Sequence, residues 1–179
     1  MNQEQYQVDV LREFRRLKKP SDAAMAQVSD EDFFKALDEN SNSIALIVKH
    51  ITGNMHSRWQ DFLTTDGEAP DRQRDQEFIV GPSDSRNSLF ERWEQGWRYL
   101  FDTISSLQAS DFTATVFIRK EPHSVVQAIN RALVHYAGHI GQIIVLAKHW
   151  AGERWQTLTI PRGKSEEFHA TGNPYLQDD

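Results

Sequence analysis

The sequence predicts an all-α protein, a four-helix bundle with a long connection between its second and third helices and a short strand segment before the fourth. Three observations carry that expectation. Apolar residues recur at spacings of three and four in four separate segments. Residues 64–87 are polar and rich in Gly and Pro, longer than a helical hairpin needs. One short run alone, Phe112 to Ile118, is β-branched and aromatic enough to read as one or two small strands.

The first helix is marked by Tyr6, Val10, Phe14 and Leu17 on one face. Pro20 is expected to kink or interrupt it, because proline lacks the N–H and clashes with the preceding turn. The polar stretch from Ser29 to Asn42 reads as a connection with capping residues. A second helix begins near Ser43 with the stripe Ile44, Ile47, Val48, Ile51, Met55, Trp59 and Phe62. After the long connection, Leu89, Trp93, Trp97, Leu100, Ile104 and Leu107 line one side of a third helix. The fourth and longest spans roughly 122–151, with Pro122 at a first helical position and Gly152 as an end signal. A mostly irregular tail, 152–179, is anchored by Trp155, Leu158, Ile160 and Phe168. No repeat, low-complexity stretch or composition shift divides the chain, so 1–179 reads as one domain.

Composition narrows the chemistry. The 179 residues include 20 Lys+Arg against 26 Asp+Glu, a formal net charge of −6, which argues against broad binding to nucleic acid or anionic membrane. With no cysteine, disulfides, thiolate-bound zinc, iron–sulfur clusters and a protein thiol nucleophile are excluded. Met1 to Gln5 lacks the basic start and apolar run of a secretory signal, and no stretch approaches the roughly 18 apolar residues of a membrane span. The expectation is a cytoplasmic protein.

The sharpest motif is His135-Tyr-Ala-Gly-His139 in the fourth helix. Histidines at i and i+4 share a helix face roughly 6 Å apart along the axis, so both imidazoles can reach one metal. Val125, Ala128, Ile129, Ala132, Tyr136, Ile143 and Leu146 lie on the same broad stripe, which turns both histidines inward. Such a pair reads either as metal ligands or as imidazoles satisfied by buried hydrogen-bond partners. Tyr136 stands where a zinc-protease helix carries Glu, so that reading fails. His50 on the second helix is the best third ligand, with Asn54 and Arg58 one and two turns on along the same face. That column offers a ligand, a neutral hydrogen-bonding group and a cation for an anionic substrate, or else an ordinary polar edge. Gln142 follows His139 by one turn. His56 is expected to face solvent, His123 to sit at a helix start, His149 at a helix C-terminus and His169 in the tail. A di-iron bundle needs two Glu-x-x-His motifs, and the chain offers one such spacing, Glu166 to His169 beyond the last helix.

Trp59, Trp93, Trp97, Phe101 and Trp150 fall at helical spacing and read as core or interface. A second apolar line on the fourth helix, Val126, Leu133, Ile140 and Ile144, is expected to be central or covered by a second copy, which suggests a homodimer.

The segments Ser43-Ile-Ala-Leu-Ile-Val-Lys-His50-Ile-Thr-Gly-Asn54-Met-His-Ser-Arg58-Trp59 and His135-Tyr-Ala-Gly-His139-Ile-Gly-Gln142-Ile resemble the DinB-like superfamily of metal-binding four-helix bundles. The closing Leu158-Thr-Ile-Pro161-Arg-Gly163-Lys164-Ser-Glu-Glu-Phe168 is similar to one bacterial branch of it. The resemblance implies that His50, His135 and His139 hold a divalent metal, zinc or nickel, with water completing the shell. Asn54, Arg58 and Gln142, read from their positions beside these ligands, are the candidate substrate-pocket residues, with a surface role the alternative for Gln142. Characterised members of the superfamily include bacillithiol S-transferases and the mycothiol-dependent maleylpyruvate isomerase. The implied activity is therefore a thiol S-transferase, with a low-molecular-weight thiol and an electrophile as partners. A non-catalytic dimeric bundle with a structural metal, and a metal-dependent hydrolase, are the competing expectations.

Overall fold

The computed structural model describes residues 2–171 and is mostly helical, with one small sheet. Four long helices surround a common core: α1 (Gln3–Met25), α3 (Ile44–Trp59), α4 (Arg86–Ser106) and α5 (Val125–Ala151). Two short ones, α2 (Asp30–Phe34) and α6 (Ser165–Thr171), lie outside that set. α3 packs on α4 and α1 on α5, while α3–α5 and α1–α4 contacts close the ring. No helix among the described residues is long and apolar enough to cross a membrane.

Local chemistry sets the helix starts. Asn2, Ser29, Ser43, Ser85 and Ser124 precede α1 to α5, and each side-chain oxygen accepts the N–H of the residue three places on. The apolar faces then meet at four aromatic rings, one from each long helix. Phe14 lies 6.4 Å from Trp59, 6.3 Å from Trp97 and 6.2 Å from Tyr136, mostly edge-to-face. All four are essentially inaccessible to solvent.

Several expectations need correction. α1 runs through Pro20 to Met25. The turn after Pro20 is held by tertiary bonds: Trp93 Nε1 donates to Asp22 Oδ1 (2.7 Å), and Arg86 Nη2 donates to the Met25 carbonyl (2.6 Å). The polar stretch after Ser29 includes the single-turn α2, which buries Phe33. The fourth long helix starts at Val125, not at Pro122. Pro122 belongs to β2 (Glu121–Ser124), which pairs antiparallel with β1 (Thr115–Ile118). The hairpin turns at Arg119 and Lys120, both at positive φ, and Asp66 accepts their two backbone N–H groups at 2.7 and 2.6 Å. The tail is less irregular than expected, since α6 includes Phe168; its end, 172–179, lies outside the described residues. The second apolar line of α5 is largely covered by the chain itself. Ile140 is buried, and Val126, Leu133 and Ile144 pack against the core. The large apolar side chains that α5 does expose are Val134 and Val145.

The long connection is tied down at both ends. Ser57 Oγ accepts the Ala69 N–H at 2.7 Å, and near α4 the Asp84 carboxylate, 2% exposed, accepts from Lys49 Nζ (2.6 Å) and Gly81 N (2.8 Å). Burial alone would raise the Asp84 carboxyl, but bonds from Lys49 and Gly81 and the charges of Lys49 and Arg92 hold it below the usual aspartate range. A depressed folded-state pKa contributes stability above the unfolded aspartate value, and that contribution is lost as pH falls through the folded one. Asp84→Asn is expected to lower stability near neutral pH by about 1–3 kcal/mol. It is also expected to flatten the acid limb of stability against pH in chemical unfolding. An acid limb unchanged by the substitution would contradict this role.

Candidate metal centre

α3 and α5 bring His50, His135 and His139 together, with one ring nitrogen of each within 4.8 Å of the others. Among the described residues this is the one group of His, Asp and Glu side chains arranged to hold a metal ion. His135 Nε2 lies 3.3 Å from His50 Nε2 and 3.1 Å from His139 Nε2. Imidazole nitrogens at ~2.0–2.1 Å from a tetrahedral zinc stand about 3.3 Å apart, so the spacing fits.

The outward nitrogens explain why the inward ones converge as acceptors. His50 Nδ1 is 2.8 Å from Glu77 Oε2, and a carboxylate can only accept, so Nδ1 carries a proton and, in the neutral ring that a metal ligand requires, Nε2 carries the lone pair. His139 Nδ1 is 2.9 Å from Gln142 Oε1, which gives His139 the same tautomer. Burial, reinforced by His139, His50 and nearby arginines, lowers the His135 pKa to about 3, so this ring is neutral. Burial also lowers His139. A neutral His135 has at most one Nε2 proton for two facing lone pairs, so protein hydrogen bonds alone leave one acceptor facing another. A divalent cation satisfies all three. The described residues therefore fit a metal held by three imidazoles.

Behind His50 stands a group that the sequence alone does not reveal. Glu77 is 7% exposed and sits in a 3-10 turn, Arg74–Phe78, of the long connection. Besides His50 it engages Arg72, whose Nε and Nη2 donate to its two oxygens at 2.7 and 2.8 Å. Burial alone would raise the Glu77 carboxyl, but these partners hold it below the usual glutamate range. The approach needs a glycine: a Cβ at Gly53 on α3 would collide with the Glu77 carboxylate. A glycine inside an amphipathic helix is the local signal of such a close approach. It does not say which residue approaches.

The other expected residues are placed as follows. His135 and His139 are half-buried at the edge of the core, not fully inside it, whereas His50 is buried. Asn54 is buried, and its Oδ1 accepts from the Tyr136 hydroxyl (2.9 Å), which in turn accepts from Trp59 Nε1 (3.1 Å). Burial pushes the Tyr136 phenol up to about 12. His50 and His135 open into a cavity of about 240 Å³ that Asn54 and Arg58 also line. Gln142 is exposed and holds His139. His56 is exposed; His123 lies on β2, not at a helix start, with Nδ1 at 2.9 Å from the Glu121 carbonyl. His149 is in the last turn of α5 and His169 in α6, both away from the cluster. A larger cavity, about 730 Å³, lies between α3, α4 and the connection; it shares Arg72 with the smaller one and contains no ring of the cluster.

A family model described as a protein of unknown function, DUF1572, matches residues 2–164. The chain belongs to the DUF1572 family. No curated protein and no solved structure matches it. The DUF1572 match covers all of α1, α3, α4 and α5 and hence every residue of the three-imidazole cluster and its supports.

Removing the carboxylate behind His50 is expected to weaken metal binding without removing a ligand. Glu77→Gln should raise the zinc dissociation constant about 10–100-fold in a chelator competition. Gly53→Ala should act in the same direction, because the added Cβ displaces Glu77. Affinities equal to wild type in both variants would show that Glu77 does not tune the site.

Proposed function

We propose that this chain is a metal-dependent thiol S-transferase, a single four-helix-bundle domain of DinB-like type over 1–179. In this reading His50, His135 and His139 hold zinc or nickel, and a small-molecule thiol and an electrophile are its substrates. A cytoplasmic homodimer is the form proposed for it. The observation that carries the proposal is the convergence of three imidazole lone pairs beside a cavity, with no fourth protein ligand among the described residues. A structural metal is closed by four protein ligands, whereas a catalytic one keeps a position open.

When bound, the metal supplies a Lewis-acidic position that lowers the pKa of a coordinated thiol. The chain's own residues supply orientation. Glu77 and Gln142 fix the tautomers of His50 and His139, and Tyr136 fixes Asn54 at the cavity wall. With no cysteine in the chain, the nucleophilic sulfur comes from the cosubstrate. The sulfur forms the new C–S bond with its own electron pair. Its former proton leaves with the displaced group or, in an addition, ends on the neighbouring carbon. The hydrolase reading gains nothing: no carboxylate lines the cavity, and Glu77 is engaged by His50 and Arg72.

The test is consumption of a panel of cellular thiols, bacillithiol, mycothiol, glutathione, coenzyme A and cysteine, with a chromogenic haloarene. Zinc- or nickel-loaded protein is expected to form the thioether with at least one thiol. Stripped protein and His135→Ala are expected to lose the rate by at least about 100-fold. No metal-dependent product from any thiol would overturn the reading.

A further inference from the structure

The cavity beside the cluster is cationic in a chain whose net charge is −6. Besides Arg58, it is lined by Arg72, Arg74, Arg119 and Arg131, which come from the connection, the hairpin turn and α5. Most of these have partners. Arg72 pairs with Glu77 and Glu68, and Arg119 lies 3.4 Å from Glu68. Arg131 lies 3.5 Å from Glu121 and 3.1 Å from His123 Nε2, and Arg74 stacks over the Phe78 ring.

Arg58 differs from all of them. It is 6% exposed, no carboxylate pairs with it, and its Nε is fully buried without a hydrogen-bond partner. Burial and the repulsion of Arg131 and Arg72 act against its charge and outweigh the support of Tyr136 and Glu68, so its pKa lies below the usual arginine value. A guanidinium nevertheless stays protonated, so the site holds a buried cation that Glu68 and Asp66 feel only at a distance and that no carboxylate contacts directly. The backbone leaves room for it: a Cβ at Gly67 would lie 3.0 Å from Arg58 Nε. Arg131 stands one helical turn before His135, and Arg58 two turns after His50, so both cations face the cavity into which those rings open.

We propose that this cavity binds a small organic dianion, carboxylate or phosphoryl in chemistry, clamped by the Arg58 guanidinium and by Arg131. About 240 Å³ is less than the ~300–1,000 Å³ of drug-sized ligand sites, so the occupant is a compact acid. Guanidinium forks match carboxylate and phosphate oxygens bidentately, and a cavity lined with one sign of charge concentrates the opposite one. Within the transferase reading, on which this assignment of a role rests, the dianion is the electrophile, held next to the metal's open position. The binding itself does not require that reading.

The experiment is calorimetric titration of the full chain, zinc-loaded and metal-stripped, with malonate, with inorganic phosphate and with neutral malonamide at fixed ionic strength. Malonate or phosphate is expected to bind one-to-one, the tighter of the two identifying carboxylate or phosphoryl chemistry, while malonamide does not bind. Arg58→Gln is expected to weaken that binding at least tenfold, with Arg58→Lys intermediate, because a point charge replaces a fork. Arg131→Gln provides a second variant should Arg58→Gln fail to fold, and Arg98→Gln on the exposed face of α4 should leave affinity unchanged. The proposal is overturned if neither anion binds in either metal state, if malonamide binds as well as malonate, or if both arginine variants keep wild-type affinity. Anion binding by a protein that transfers no thiol would retain the dianion site and remove the transferase reading. Thiol transfer without anion binding would do the reverse.

Discussion

The candidate centre depends on one buried carboxylate. Glu77 accepts from His50 on one side and from Arg72 on the other, and so does three things at once. It anchors the middle of a long irregular connection against α3. It places the proton of His50 on Nδ1, which turns the Nε2 lone pair toward α5. It also neutralises one of the arginines around the cavity. A buried ion pair of this kind adds little net stability over apolar packing, whereas losing one member is costly. Its effect here is specificity of position and tautomer.

The scaffold that makes this possible is apolar. Phe14, Trp59, Trp97 and Tyr136 meet at the centre of the four long helices, and Tyr136 also hydrogen-bonds to Asn54 and Trp59 of α3. Because Tyr136 follows His135 directly, locking its ring and hydroxyl against α3 sets the height at which His135 meets His50. Burial of these four aromatic anchors fixes the register, and two hydrogen bonds make it unique. The imidazoles thus sit on rigid helices, and only their supporting carboxylate comes from irregular chain.

Much of this is legible in the sequence. Helical periodicity located the four long helices, and the i, i+4 histidines together with the column at His50 named all three rings of the cluster. What was missed has a physical pattern. Pro20 reads as a kink or an interruption, yet α1 continues through it to Met25, where tertiary bonds from Trp93 and Arg86 hold the last turn. Pro122 reads as a first helical position, but Ser124-Val-Val-Gln127 is the stronger signal and forms the capping box. Glu77 and Arg72 lie in a segment without periodicity, where no spacing rule relates a side chain to a distant helix. Of the cavity's arginines only Arg58 is announced by a local pattern, the column at His50; Arg72, Arg74, Arg119 and Arg131 come from separate segments that no spacing rule relates. Asn54 and Gln142 were legible as neighbours of the cluster, but not as the partners of Tyr136 and His139.

A metal held by the three imidazoles would, with a cavity rich in arginine, make a strongly electropositive pocket in an acidic chain. That combination suits the generation of an anionic nucleophile beside an anionic partner, since both charges are met before they meet each other. The central claim is the metal centre itself. X-ray absorption spectroscopy of the zinc-loaded protein tests it most directly. The expected shell is three imidazole nitrogens at ~2.0–2.1 Å completed by exchangeable oxygen. A shell with fewer than three imidazoles, or one closed by a fourth protein ligand, would contradict it.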